Sequence, residues 1–199
     1  MKEGIRKLGP DGFVFEKYIA ELFRENGYTA KNNQWLDGKC IDYETDVVLE
    51  KENIILIGEC KYRNQPGERI DVGVCLKVYA TFLDIKNNGS LKKEAKPMVI
   101  TNAKFTNKAI KYSECQGIKL LGWNYPEDQG LEYLIESKNF YPITVLPSFN
   151  KSFLEVFFNN NIINIQDVLS INIEKFSKKV NMSSVQLEKL RKEAQILCH

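Results

Sequence analysis

Histidine is almost missing from this chain. The only one, His199, is the last of 199 residues, where a chain end is seldom held in place. Catalytic triads, histidine-ligated metal centres and imidazole general bases are therefore excluded, because no imidazole is there to serve them. No GxxxxGK followed by Ser or Thr occurs, so a phosphate-cradling loop of that type is absent too. No apolar run approaches the ~20 residues of a membrane span. The start, MKEGIRKLGPDG, lacks the apolar stretch of a secretion signal, which points to a cytoplasmic protein without a membrane partner. Five scattered cysteines (Cys40, Cys60, Cys75, Cys115, Cys198) form an odd set with no close pair. That argues against a disulfide framework and a structural zinc site, and for reduced, mostly buried thiols. Any catalysis must draw on carboxylates, lysines, hydroxyls or thiols.

What is present is ordinary in bulk and specific in place. Hydrophobic residues make up 43% and charged residues 27%, the balance of a soluble globular domain. A net charge of +2 permits nucleic-acid binding through a local patch without requiring it. Residues 13–25 read as a helix, with Phe15, Tyr18, Ile19, Leu22 and Phe23 on one apolar stripe and Gly27 as its stop. Glu16 falls on the margin of that stripe. A polar connection, KNNQWLDGK, leads to CIDYETDVVLE and then NIILIGECKY, two strands around a KEN turn. Residues 71–84 read as a helix with Val72, Cys75, Leu76, Tyr79 and Leu83 on one side. PMVIT (97–101) reads as a strand, 106–114 as a helix capped by Thr106, and 117–123 as a further strand. This order predicts an α/β fold, a mixed central sheet flanked by helices. Beyond a linker near 142–150 the text is helical, closing with a segment capped by Ser183 or Ser184 that carries Leu187, Leu190, Ala194 and Leu197. Two domains are expected, 1–146 and a small all-α unit, 147–199.

The hairpin concentrates the chemistry. In ILIGECKYRN an apolar strand ends by presenting Glu59 and Lys61 on one face, since strand side chains alternate. Cys60 points the other way, with its backbone carbonyl free to serve as a ligand. Charge at the end of such a strand is costly unless paired or functional. Asp46 lies on the preceding strand, sharing a face with Asp42 and Glu44. Phosphodiester hydrolysis builds negative charge on phosphate oxygens, which a divalent cation neutralises. Mg²⁺ takes one or two carboxylates plus water and substrate, and a nearby lysine can orient or deprotonate the attacking water. Asp46, Glu59, Lys61 and Glu16 supply that inventory. For a DNA backbone, the basic candidates are Arg63 and Arg69 beside the site strand, the row Lys104, Lys108 and Lys111, and Lys175, Lys178 and Lys179 in the tail. Trp35 and Trp123 read as packing residues.

These segments resemble a known family. GFVFEKYIAELFRENGY, YETDVV and IGECKYRN, followed by LKVYATFLDI and VITNAKFTNKAIKYSECQGIKLLGW, look like the PD-(D/E)XK restriction-endonuclease-like fold in its Mrr branch, over about residues 8–146. The resemblance implies a three-layer restriction-endonuclease-like core and Mg²⁺-dependent (Mn²⁺-tolerant) cleavage of duplex DNA, modified or branched DNA included. It implies Asp46, Glu59 and Lys61 as the core site, with Cys60 contributing its carbonyl and Glu16 matching the helix glutamate of such nucleases. Many Mrr proteins carry glutamine where this chain has Glu59, and the approach GKCIDYETD lacks the usual glycine pattern. Relatives often carry an ATP-cone ahead of the nuclease region; this sequence begins too late for one, as a shorter form or a fragment. The tail resembles a degenerate helix-hairpin-helix or SAM-like unit with Asn159, Asn160 and Asn161 in place of the hairpin glycines, and reads equally as a plain helical packing or dimerisation element. Two other readings fit the same residues: a junction-resolvase-like nuclease, and a non-catalytic DNA-binding module on a nuclease fold. Double-strand cutting would call for a homodimer.

Overall fold

In a computed structural model, residues 1–9 and 12–198 are described; His199 lies outside them. The first long helix, α2 (Gly12–Glu25, after the short α1, Lys2–Arg6), buries the expected stripe, with Phe15, Tyr18, Ile19 and Leu22 fully inaccessible. The polar segment expected as a connection is instead a strand, β1 (Thr29–Asp37), paired antiparallel with β2 (Asp42–Lys51). It escapes an apolar-run reading because it is the outer strand of the sheet, mostly exposed in alternation. An outer strand needs only its backbone bonds, so polar side chains are tolerated. β2 and β3 (Ile54–Lys61) form the expected hairpin around Glu52 and Asn53, and Glu52 takes the left-handed φ of 55° that so tight a turn requires.

Parallel strands extend the sheet beyond the hairpin. β5 (Glu94–Thr101) pairs with β3 and β7 (Lys119–Leu121) pairs with β5, giving the order β1-β2-β3-β5-β7. The two-residue strands β4 (Arg69–Ile70) and β6 (Lys104–Phe105) form a separate ribbon. α3 (Val72–Asn88) follows β4, and α4 (Asn107–Gln116) follows β6. Asp71 caps α3 by accepting from the amides of Gly73 (2.9 Å) and Val74 (3.3 Å), and Thr106 caps α4 through Ala109 (3.2 Å). The buried face of α3 is Cys75, Val78, Phe82 and Ile85, while Leu76 and Leu83 are exposed. The stripe is thus rotated from the expected one: the helix packs on two neighbours, the sheet and α4, and Val78 and Phe82 take the central line.

One sheet face, carrying Leu56, Cys60, Met98 and Ile100, packs with α2, α5 (Leu131–Ser137) and the C-terminal helices in a single apolar cluster. The other carries Val99 and Leu120 against α3 and α4, and Ile57 against Phe82 and Ile85. The result is a three-layer α/β architecture with a C-terminal helical region, α6 (Leu154–Asn159), α7 (Ile165–Ser170), α8 (Ile173–Val180) and α9 (Ser184–Leu197). Ser183 caps α9 in a reciprocal box with Gln186, and Leu187, Leu190 and Ala194 are buried, though Leu197 is exposed. The stretch expected as a linker is not one. Ile143, Thr144 and Leu146 are buried, and Tyr18 of α2 donates to the Phe140 carbonyl at 2.5 Å, so the core runs through it. Two other expectations fail. Trp123 is buried but Trp35, on the outer strand, is 68% exposed, and of the five free thiols only Cys60 and Cys75 are buried.

Candidate active site

Pairing of β2 with β3 runs from Lys51–Ile54 to Val47–Gly58 and stops there. At Gly58 any side chain would strike Val47, since an added Cβ would lie 2.6 Å from its Cγ2. Beyond that point Asp46 reaches across: its Oδ2 accepts the Cys60 amide at 2.6 Å. On the other side of β2, Asn33 of β1 takes φ 51° between the Asn32–Val47 and Gln34–Thr45 pairs, a kink at the level of Asp46. Both neighbours of β2 therefore depart from regular pairing where the carboxylate sits.

Glu59 and Lys61 follow on β3, both half-buried. Lys61 Nζ lies 2.5 Å from Glu59 Oε1, and Lys77 Nζ of α3 lies 3.9 Å from the same oxygen. Cys60, between them, is 7% exposed within the main core, where burial pushes its thiol well above the usual range and keeps it protonated. Next to Lys61, the fully buried Thr101 donates to the Lys61 carbonyl at 2.6 Å. Asn102 clamps Arg63, accepting its amide (2.8 Å) and donating to its carbonyl (2.6 Å). These bonds satisfy the backbone where the strand leaves the sheet.

Glu16 completes the group from α2. Burial, then the Asp46 and Glu59 carboxylates, push its carboxyl up to about 7, against the pull of Lys61. Burial and the Glu59 carboxylate also raise Asp46, opposed by the Cys60 amide it accepts. The amide bond favours an ionised Asp46 and so opposes that rise. Glu16, Asp46, Glu59 and Lys61 are thus electrostatically one site: three carboxyls against a lysine, with Lys77 at its edge. Among the described residues no three His, Cys, Asp or Glu side chains stand close enough to chelate an ion unaided.

The basic candidates divide. Arg63, Arg69 and Lys104 line one cavity beside the site, joined by Lys2 and Arg6 of α1. Lys104 lies on β6, ahead of the helix, and so is not in a row with Lys108 and Lys111, which are exposed on α4. Lys175, Lys178 and Lys179 are exposed on α8, in the C-terminal helical region. The 159–161 turn is engaged internally: the amides of Asn160 and Asn161 bond to the carbonyls of Phe157 and Phe158, and Lys17 holds Phe158 O at 2.6 Å. Sequence reasoning missed Lys77, Lys2, Arg6 and the Thr101–Asn102 clamp. The pair Thr101–Asn102 directly after an apolar strand was a usable signal, because buried polar residues at a strand end need partners; for Lys2 and Arg6 there was none.

Residues 8–124 match the restriction endonuclease family in its Mrr catalytic form. The chain belongs to that family. In this Mrr-type protein, residues 141–198 also match the C-terminal unit described as AF1548-like. A relative from Archaeoglobus fulgidus, described as an uncharacterized protein, is 36% identical over 178 residues, 88% of this chain and 97% of its own. The crystal structure of AF1548, a protein of unknown function, superposes with a TM-score of 0.81 at 33% identity, over 94% of this chain and 99% of that one. The restriction-endonuclease-like fold expected from the sequence is the fold observed. The MspJI restriction endonuclease, solved with a 27-mer oligonucleotide, is far more distant, with a TM-score of 0.39 and 16% identity over 65% of this chain and 31% of MspJI.

Proposed function

We propose that this Mrr-type protein is a divalent-cation-dependent DNA endonuclease whose site is Glu16, Asp46, Glu59 and Lys61. The observation that carries the reading is charge: three carboxyls share one partly buried site, and two are held above their ordinary range by burial and by one another. A cation is what such a set lacks. The donors are oxygens only, which suits a hard ion such as Mg²⁺, which completes its shell with water and substrate phosphate. Asp46 and Glu59 are its holders in this reading, with the Cys60 carbonyl and Glu16 as further oxygens. When bound, the ion neutralises charge growing on the phosphate and lowers the pKa of water.

The remaining chemistry falls to the chain. Lys61, held by Glu59, presents its ammonium beside the scissile phosphate and orients the attacking water. The water oxygen bonds to phosphorus, the phosphorus–oxygen ester bond opposite breaks, and the departing oxygen takes a proton from solvent water. Glu16, as a further oxygen beside the cation, orders the attacking water, whose proton passes to solvent. DNA is the partner, met through the basic residues beside the site. The protein acts in the cytoplasm, and a homodimer would bring two sites to two strands. Residues 1–146 form the nuclease unit and 147–199 the helical one.

Conversion of supercoiled plasmid with Mg²⁺ or Mn²⁺ tests the reading, with Lys61→Ala as the comparison and methylated and four-way-junction DNA among the substrates. A non-catalytic module is favoured by one feature, the occupation of Glu59 by Lys61 and Lys77. That reading expects DNA binding without cation binding in calorimetry.

A further inference from the structure

Past Lys61 the chain leaves the sheet and walls a cavity of about 190 Å³ together with α1 and the segment 102–104. Five cations line it, Lys2, Arg6, Arg63, Arg69 and Lys104, against a single carboxylate, Glu68. Glu68 pairs with Arg63 at 3.4 Å, and Arg6 pairs with Glu3 at 3.3 Å. Among the described residues Lys2, Arg69 and Lys104 have no carboxylate within ion-pair distance. The Lys2 ammonium lies over the Trp123 ring, 5.3 Å from its centroid, and is held below its ordinary pKa by burial and by the Arg6 and Lys104 charges, against the pull of Glu132.

The walls are fixed rather than loose. Thr144 donates to the Gly4 carbonyl at 2.6 Å and Tyr62 to the Arg6 carbonyl at 2.5 Å, so α1 is tied to the chain on both sides. The buried Asn102 holds both backbone groups of Arg63. Cations assembled from three separate segments, by bonds that do not use their charged ends, are pre-positioned for an anion and lose little freedom on binding it. Arg63 is two residues beyond Lys61, at most about 7 Å along the chain. DNA advances about 3.4 Å per nucleotide along one strand.

We propose that this cavity is a phosphate subsite, separate from the carboxylate site, that seats a phosphate one or two nucleotides from the bond cut. Its position relative to cleavage rests on the nuclease reading; its affinity for a DNA phosphate does not. The phosphate belongs either to a continuous strand or to a 5′ end.

The test is DNA binding in EDTA, where cutting is silent, using a 3′-labelled duplex and anisotropy. Arg69→Ala and Arg6→Ala are compared with wild type, with melting curves confirming that each folds. Arg69 is exposed, so its truncation removes little packing; the Arg6 side chain is 21% exposed and paired with Glu3, so Arg6→Ala is read only alongside its melting curve. Each variant should bind several-fold more weakly, with the slope of log K against log salt shallower by about 0.9 for each phosphate no longer neutralised. Unchanged affinity and slope in both folded variants would overturn the subsite, whatever the nuclease assay shows. If both bind weakly but wild-type protein cuts nothing, the subsite stands and the nuclease reading fails. Competition then assigns the source: equal competition by closed circular and linear duplex means an internal phosphate, and preference for a 5′-phosphorylated over a 5′-hydroxyl duplex means a terminal one.

Discussion

Replacing Glu16 with glutamine should make the metal-free protein more stable at pH 8, although it removes a charged group from a charged cluster. The carboxyl is moved from its ordinary 4.5 to about 7 by burial and by the Asp46 and Glu59 charges. An acid raised in this way binds its proton more tightly in the folded chain than in the unfolded one. Between pH 4.5 and 7 the folded state therefore holds more protons, and stability falls as pH rises across that window. At about 1.4 kcal/mol per pKa unit the whole displacement amounts to about 3 kcal/mol. Glu16 is only half-buried, so solvent screening reduces this to about 1–2 kcal/mol. For a chain of this length that is a rise in Tm of about 2–8 °C for Glu16→Gln at pH 8. Little difference should remain at pH 4.5, where wild-type Glu16 is protonated. Thermal melts from pH 4.5 to 8 in EDTA measure both ends. A variant less stable than wild type at pH 8, or a gap independent of pH, would refute the claim that carboxylate crowding and burial set this site's energetics.

Other consequences follow from the same geometry. Mg²⁺ at millimolar concentration should raise the Tm of wild type at pH 8 by mass action, and Asp46→Asn, which keeps an acceptor for the Cys60 amide, should lose most of that rise in a calorimetric melt. Gly58→Ala should destabilise by about 1–3 kcal/mol in urea unfolding, because its Cβ would meet Val47 at 2.6 Å. Asp71→Ala removes an acceptor used by two amides at the start of α3 and should cost about 0.5–2 kcal/mol in the same assay. Acrylamide should quench Trp35 fluorescence strongly and Trp123 hardly at all, so Trp35→Phe should leave a nearly unquenchable emission.

The parts of the fold visible in the sequence were those with one dominant physical cause. α2 is an amphipathic stripe against a single large core, and its buried residues followed from spacing alone. The β2–β3 hairpin and the caps at Thr106 and Ser183 have local causes and were equally legible. β1 was hidden because an outer strand needs no apolar text, and α3 was misrotated because it answers to two packing partners. The buried 143–146 segment looked like a linker because prolines frame it, yet Ile143 and Leu146 were apolar enough to signal burial. At the site, Glu59-x-Lys61 was legible as costly charge ending an apolar strand, and Glu16 as an acid on a helix margin. The cavity cations of α1 were not: Lys2 and Arg6 meet Arg63, Arg69 and Lys104 only through the fold, and no local pattern connects residues 2 and 104.

The central claim, that these charges form a working site for cutting DNA, is tested most directly by supercoiled plasmid conversion with Mg²⁺. Wild-type protein should nick or linearise the plasmid in a reaction abolished by EDTA, and folded Lys61→Ala should be at least about a hundredfold slower, the usual scale of losing a group that manages a proton or a developing charge. Equal rates for wild type and Lys61→Ala across plain, methylated and branched DNA would contradict it.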